Sequence, residues 1–326
     1  MSAVVPSDET ACRSGGTAEL DLSIIIATYN GREVLKRCLE SIEANPATCS
    51  FEIIVVDDAS SDRTAEMVRE RFPQVRLLCN ETNVHYGTSN NRAFDIARGR
   101  FIYLLNNDTI MRPHAIDAMI GFLREHPEVG AVGSKLLNED GTVQWSVKSL
   151  PNPMSALFGA RSIVARLFPF NAISRRHLLH PEEDAVEPFA VGYVSSASLI
   201  MPREVMKRVG YLDPRLSYHV DADYCKRVAD AGWKVYCLPS VSVVHLNHQG
   251  GTMGSRRRRF KSLSEFYLGS YIYFRKHLMR SPWSLLHLAA VGGLGTVYVG
   301  SLLTQVFKEA IYVARGSARR QHESRR

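Results

Sequence analysis

Phe101-Ile102-Tyr103-Leu104-Leu105-Asn106-Asn107-Asp108 is five apolar residues running directly into two amides and a carboxylate. The pattern reads as a buried strand whose carboxyl end presents polar groups at a cleft. In an α/β sheet, a carboxylate at that position is placed to hold a divalent metal against a phosphate. Taken alone, the same residues also describe a strand followed by a capping Asp at a helix start, so the neighbouring segments decide between the two.

Upstream, apolar runs alternate with helical spacing. Leu22 to Ala27 and Phe51 to Val56 read as strands, as do Val75 to Leu78 and Phe101 to Leu105. Between them, Arg32 to Ala44 carries Val34, Leu35, Cys38, Leu39 and Ile42 on one face. Asp62 to Arg71 and Thr88 to Ala97 read as further helices, with Ser61 or Asp62 able to cap the first and Arg98-Gly99 ending the second. Repeated strand–helix–strand units predict an α/β fold with a mainly parallel sheet covered on both faces. Five prolines interrupt the pattern between about Leu150 and Pro188, read here as a variable lid or acceptor-facing insertion. Order returns at Tyr193 to Met201, followed by helices over Arg203 to Val209 and Asp221 to Ala231 and a strand over Lys234 to Leu238.

The whole chain of 326 residues, 45% hydrophobic and 22% charged, is long enough for one large α/β domain and an appendage. Its net charge of +7 is concentrated in Arg256-Arg257-Arg258-Arg259 and from Arg315 to Arg326. Such a balance suits nucleic acid, an anionic membrane surface or a phosphate-bearing ligand. The six cysteines show no C-x-x-C or zinc spacing and fit a reducing compartment. Residues 1–20 are polar, lack the apolar core of a signal peptide and read as a disordered lead-in. Ser281 to Phe307 contains no Asp, Glu, Lys or Arg, but glycines and hydroxyls dilute it. An in-plane amphipathic or re-entrant anchor is expected there, with packing onto the main domain as the alternative.

Four strand ends carry the chemistry. Ser23-Ile24-Ile25-Ile26-Ala27-Thr28-Tyr29-Asn30 ends in a hydroxyl, an aromatic face and backbone N–H groups suited to a nucleotide. Ile53-Ile54-Val55-Val56-Asp57-Asp58-Ala59-Ser60 ends in two carboxylates that point to opposite faces, so one can meet a ligand while the other braces the loop. N-capping by Asp57, Asp58 or Ser60 is the other reading of those residues. Asn83 to Ala93 is a polar loop entering a helix, with Asn90, Asn91 and Arg92 as candidate nucleotide or sugar contacts. The fourth is Asn106-Asn107-Asp108.

These motifs, in this order, resemble the inverting family 2 glycosyltransferases of the GT-A fold. The resemblance covers roughly Leu22 to Met279 and continues through Gly192 to Ala197, Met201-Pro202-Arg203 and Gly210-Tyr211-Leu212-Asp213. Asp221-Ala222-Asp223-Tyr224-Cys225-Lys226-Arg227 is similar to the segment holding the family's catalytic base, and Val243-Val244-His245 to the strand end bearing a metal-binding His. The nearest subgroup is rhamnosyltransferase-like. Three positions depart from the pattern: Val220 stands where the family often has Glu, Asn106 where a first Asp is usual, and His85 where Gly is usual.

The resemblance implies a catalytic domain over 21–255 and a basic, apolar helical extension over 256–326. It implies transfer of a sugar, L-rhamnose from dTDP-rhamnose as the first expectation, from a nucleoside diphosphate donor to a hydroxyl of a polyprenyl-linked or other glycan acceptor in envelope synthesis. Asp221 is then the general base with Asp223 in reserve. Asp108 and His245 hold Mg²⁺ or Mn²⁺, and Thr28, Tyr29, Asn30, Asp57, Asp58, Asn90, Arg92 and Asn107 line the nucleotide-sugar site. Arg256, Arg257, Arg258 and Arg259 contact a diphosphate or lipid, or form a solvated charge run. The expected location is the cytoplasmic face of the cell membrane, through the C-terminal segment. Nucleic acid is not among the implied partners. The competing readings are a non-catalytic, membrane-associated saccharide-binding protein with a degenerate GT-A fold and a sugar nucleotidyltransferase. The second lacks its Gly-rich phosphate loop here, and a dinucleotide oxidoreductase is excluded by the missing G-x-G-x-x-G.

Overall fold

The computed structural model describes residues 20–144, 146–152, 186–246, 256–279, 281, 287–288 and 290–306. The lead-in, most of the Pro-interrupted insertion, the side chains of Arg256 to Arg259 and residues 307–326 lie outside them. Strands β1 (Leu20–Thr28), β2 (Phe51–Asp57), β3 (Arg76–Cys79) and β4 (Gly99–Leu105) run parallel in the order β3-β2-β1-β4. Helices α1 (Arg32–Ala44), α2 (Thr64–Arg71) and α3 (His85–Ile96) connect them. This is the strand–helix alternation the apolar periodicity predicts.

Beyond β4 the sheet changes character. β5 (Thr109–Ile110), α4 (Ala115–Glu125) and β6 (Val129–Leu137) follow, then β7 (Phe189–Ala190), β8 (Ser198–Pro202), α5 (Arg203–Val209), α6 (Val220–Asp230), β9 (Lys234–His245) and α7 (Arg256–His277). β8 inserts antiparallel between β4 and β6, while β9 lies parallel to β6 and antiparallel to β5 and β7. The sheet of nine strands among the described residues is therefore mixed. β9 runs on past Leu238 to His245 because a bulge absorbs the Pro239-Ser240 interruption: Ser134 pairs with Leu238, and Lys135 next pairs with Ser242.

One core layer joins α1, α2 and α4 to one face of the sheet; the other joins α3, α5 and α6 to the opposite face. Tyr273 and Phe274 of α7 and Leu294 of the helical stretch 290–306 are buried in that second layer. The domain boundary expected at 255/256 thus marks no break in packing among the described residues. Cys38, Cys225 and Cys237 are buried core thiols, each pushed up to about 12 by burial.

Glu52 ties the parallel half together at the end opposite the cleft. Buried on β2, it accepts from Ser23 Oγ (2.8 Å), the Arg98 N–H (2.8 Å) and the Arg76 guanidinium (2.8 Å). Burial alone would raise its pKa, but these donors outweigh burial and hold it below the ordinary glutamate range. Glu52→Ala should cost about 2 kcal/mol in a denaturant titration, since it leaves buried donors unmatched. Because the folded pKa is depressed, this stabilisation is present above the ordinary Glu range and lost as pH falls through the folded value. The gap between wild type and Glu52→Ala should therefore narrow below about pH 4; a gap constant from pH 7 to pH 3 contradicts the assignment.

Candidate active site

The cleft lies at the carboxyl ends of β1, β2 and β4, where the four polar motifs converge. Thr28 is buried at the end of β1, and its Oγ1 accepts from Asn107 Nδ2 at 2.9 Å. Asn30 adopts a left-handed φ of 49°. Its N–H donates to Ser60 Oγ (2.8 Å), and its Oδ1 accepts from the Ser61 N–H (2.8 Å). The loops after β1 and β2 are thereby fastened to one another, with Tyr29 exposed between them.

The two carboxylates that close β2 divide their work. Asp58 takes the Asn80 amide (2.7 Å) and the Val84 N–H (2.9 Å) on Oδ1, and the His85 N–H (2.9 Å) on Oδ2. It is a brace for the entry to α3. His85 sits there at a φ of 68°, the conformation that makes Gly usual at this place and that Asp58 sustains here. Asp57, one residue earlier, accepts the Ser60 N–H (3.3 Å) on Oδ2, and its buried Oδ1 has no partner among the described residues. A buried carboxylate oxygen without a donor is an open site for a ligand N–H or hydroxyl.

After β4, Asp108 and His245 meet across the β5–β9 pairing, with His245 Nε2 3.2 Å from Asp108 Oδ1. Asn106 Nδ2 lies 3.3 Å from the same ring nitrogen. Gln144 assigns the tautomer. Its Nε2 donates to the His245 carbonyl (2.6 Å) and to Asn138 Oδ1 (2.9 Å), so its Oε1 faces His245 Nδ1 at 2.9 Å and must accept. Nδ1 therefore carries the proton, and in the neutral ring the Nε2 lone pair is turned towards Asp108. A carboxylate oxygen and an imidazole nitrogen at that spacing suit two adjacent ligands of a cation, which at bond lengths near 2.1 Å stand about 3 Å apart. Among the described residues no third His, Cys, Asp or Glu joins them. The remaining coordination of a bound cation would come from substrate oxygens and water, as Mg²⁺ sites on phosphates commonly have it.

Asp221 stands at the start of α6. Its Oδ1 accepts the Ala222 N–H at 2.8 Å. Burial raises its carboxyl pKa, with the Lys148 charge and the backbone N–H groups of Ala222 and Ser196 opposing. The same Ser196–Ala197 turn accepts the Asn106 N–H at Ala197 O (3.1 Å) and receives the Tyr86 hydroxyl at Ser196 O. The turn is thus bonded to the loop before Asp108 and to Tyr86 of α3, and its Ser196 N–H helps offset the burial of Asp221.

A family model described as "Glycosyl transferase family 2" matches residues 23–210, more than half of the chain. The chain belongs to glycosyl transferase family 2. The N-acetylglucosaminyl-diphospho-decaprenol L-rhamnosyltransferase of Mycobacterium tuberculosis (strain H37Rv) is 26% identical over 264 residues, covering 77% of this chain and 83% of that protein. The succinoglycan biosynthesis protein ExoO of Rhizobium meliloti is 35% identical over a shorter span, 31% of this chain and 29% of that one. Among solved structures, the mannosyltransferase PcManGT from Pyrobaculum calidifontis, in complex with GDP-Man and Mn²⁺, superposes with a TM-score of 0.54 at 19% identity, covering 93% of this chain and 81% of that one. S. aureus TarS 1–349 gives 0.52 at 17%, covering 84% and 80%. The fold is that of these GT-A-like enzymes, a mixed sheet flanked by helices.

Other expected site residues lie differently in this family 2 chain. Asn90 is buried and donates to Tyr86 O within its own helix (2.8 Å). Arg92 is held by Asn80 Oδ1 and the Cys79 carbonyl. Asn91 exchanges two hydrogen bonds of 2.9 Å with the Leu212 backbone and fixes the approach to α6. Asp223 is fully buried among the cationic side chains of Arg227 at 3.0 Å and Lys276 at 2.7 Å, and the His277 ring at 2.7 Å. Burial acts to raise its pKa, but the hydrogen bonds from His277 and Lys276 and the Arg227 charge bring it below the ordinary range. That is the environment of a structural anion, whereas Asp221 is under-solvated and only weakly compensated. Gln144 and Lys148 escaped the sequence reading; the only signal was their polarity beside an apolar strand.

Proposed function

We propose that this family 2 glycosyltransferase moves a sugar, with L-rhamnose from dTDP-rhamnose as the first candidate, from a nucleoside diphosphate donor to a hydroxyl of a polyprenyl-linked saccharide, with inversion. The reading is supported by the Ser196–Ala197 turn, whose Ala197 carbonyl accepts the Asn106 N–H beside the Asp108–His245 pair and whose Ser196 N–H acts on the charge of Asp221. The acceptor oxygen bonds to the anomeric carbon as the bond to the diphosphate breaks, and Asp221 takes the hydroxyl proton as general base. A cation such as Mg²⁺ or Mn²⁺, when bound at Asp108 and His245, neutralises charge on the departing diphosphate. The unpaired Asp57 Oδ1 receives an N–H of the nucleobase or a ribose hydroxyl, and the Thr28–Asn107 pair and Asn30 shape the wall beside it. The M. tuberculosis relative, a rhamnosyltransferase on a decaprenol-linked sugar, supports the donor and acceptor classes.

A lipid-linked acceptor calls for a surface at the bilayer. The helical stretch 290–306 packs one side on α7, where Tyr298 pairs with Ser264 and Ser301 with Tyr267, each at 2.8 Å. Its other side, with Leu288 before it, exposes Val291, Val299, Leu303 and Val306, which fall within one stripe at helical spacing. No described helix is long and apolar enough to cross a membrane. The reading is in-plane contact with an anionic leaflet, supported by the basic residues that flank this stretch in the sequence.

Asp221→Asn should reduce transfer to below a few per cent of wild type while nucleoside diphosphate binding is kept; substantial residual transfer removes the base assignment, and donor binding with no turnover in the wild type would favour the non-catalytic alternative. The acid limb of the wild-type pH–rate profile should lie above the ordinary Asp range, since transfer needs the ionised carboxylate and burial resists it. Lys148→Met, by removing a favourable charge, should move that limb further up. Gln144→Ala should weaken Mn²⁺ binding by about 10–100-fold in calorimetric titration with nucleoside diphosphate present; an unchanged affinity dismisses the Asp108–His245 site as drawn. Val299→Asp with Leu303→Asp should release the protein from vesicles containing anionic phospholipid, and undiminished co-sedimentation would exclude the stripe as the contact.

A further inference from the structure

We propose that α7 is a positioning element of the transfer centre, holding the turn that bears Asp221 from both sides. The proposal rests on Asp221 as the base and adds what sets its place. Asp221 is the second residue of α6, flanked by His219, at a φ of 64°, and by Asp223. Among the described residues α7 takes part in holding both: it supplies the ring and hydroxyl partners of His219, and it shares Asp223 with Arg227 of α6 itself.

On the near side, Ser270 Oγ donates to the Phe266 carbonyl (3.0 Å), so it accepts from His219 Nε2 at 2.9 Å. The His219 ring lies 5.0 Å from the Phe266 ring, and the Tyr218 hydroxyl bonds Ser262 Oγ. Gly269 permits this approach: a Cβ there would stand 2.8 Å from the Tyr218 carbonyl oxygen and 3.5 Å from the His219 ring. On the far side, His277 and Lys276 both reach Asp223 Oδ1 at 2.7 Å, and Lys276 also reaches Asp213 at 3.1 Å. Ser262, Phe266, Gly269, Tyr273 and Lys276 recur at intervals of three and four along α7, so one face of a single helix supplies the grip.

The consequence is specific. A general base must sit within hydrogen-bond reach of the acceptor hydroxyl, and a displacement of about 1 Å can cost about 100-fold in rate. The groups proposed to bind the nucleotide, Thr28, Asn30, Asp57 and Asn107, lie on β1, β2 and the loops after β1 and β4, and among the described residues α7 makes no hydrogen bond or ion pair to them. Loosening α7 should therefore lower kcat without disturbing nucleoside diphosphate binding. A helix that merely stabilises the fold would, when loosened, lower the folded fraction and reduce both together.

The test uses the full chain with the donor that turns over best in a panel of dTDP-, UDP- and GDP-sugars, and the matching nucleoside diphosphate as the binding probe. Gly269→Ala, which wedges the helix from Tyr218, and His277→Ala should each lower kcat at least 10-fold, with diphosphate affinity within two-fold of wild type. His277→Gln, which keeps an N–H donor for Asp223, should recover most of the rate. Ser270→Ala serves where a stronger variant fails to fold, with a smaller loss of kcat expected. Wild-type kcat in the folded variants overturns the proposal, as does a loss of diphosphate affinity that matches the loss of kcat. If Asp221→Asn abolishes transfer while these variants keep it, only the role of α7 falls; if Asp221→Asn keeps full transfer, the base assignment falls first.

Discussion

The hydrogen bond from the Asn106 N–H to the Ala197 carbonyl spans the seam between two differently built half-sheets. On one side lies the parallel run from β3 to β4; on the other, β8 enters antiparallel and brings α5 and α6 behind it. A parallel sheet alone would offer one row of strand ends to a nucleotide. The reversal at β8 folds a second polypeptide edge over that row, so Asp221 arrives beside a loop it follows by more than a hundred residues. The tight register of β4 on β8, Leu105 opposite Ser198, leaves the 195–197 turn no freedom to stand elsewhere.

Acidic residues come in close pairs here, and each pair is split by its surroundings. Asp58 is saturated by three donors while Asp57 keeps one oxygen unmatched. Asp223 is saturated by Arg227, Lys276 and His277, while Asp221 takes the Ala222 N–H and burial still prevails over it. In both, the satisfied member fixes backbone geometry, and the unsatisfied one retains capacity for an incoming group. Two free carboxylates side by side would repel and raise each other's pKa; giving one of them a permanent set of donors removes that conflict.

Much of the parallel half was legible in the residues because buried strands and amphipathic helices write their periods locally. The helix over Arg32–Ala44 was read to the residue. The start of α3 was placed at Thr88 and lies at His85, because the first turn depends on Asp58, 27 residues away, accepting N–H groups of a left-handed residue. α4 and β6 went unread although Ile116, Met119, Ile120 and Leu123 carry a helical stripe. The sequence shows Lys234 to Leu238 and the strand end Val243-Val244-His245 as separate pieces, and the pairing with β6 joins them across a bulge. The Gln144–His245 contact joins residues 101 apart and has no local signature.

The C-terminal segment resists any division into catalytic domain and appendage. The same helix presents Phe266, Ser270 and Lys276 to the turn around Asp221 and Ser264 and Tyr267 to the helical stretch that follows. Sequence marks this region by a basic run and by the lack of any charged residue from Ser281 to Phe307, and so it reads as an addition. Its contacts are instead long-range and polar: histidine to serine, histidine to aspartate, tyrosine to serine. Such bonds are directional, and they hold an angle where apolar packing alone would tolerate sliding. The outer helical stretch and the backbone on both sides of Asp221 therefore bear on the same helix, α7, through bonds of the same directional kind.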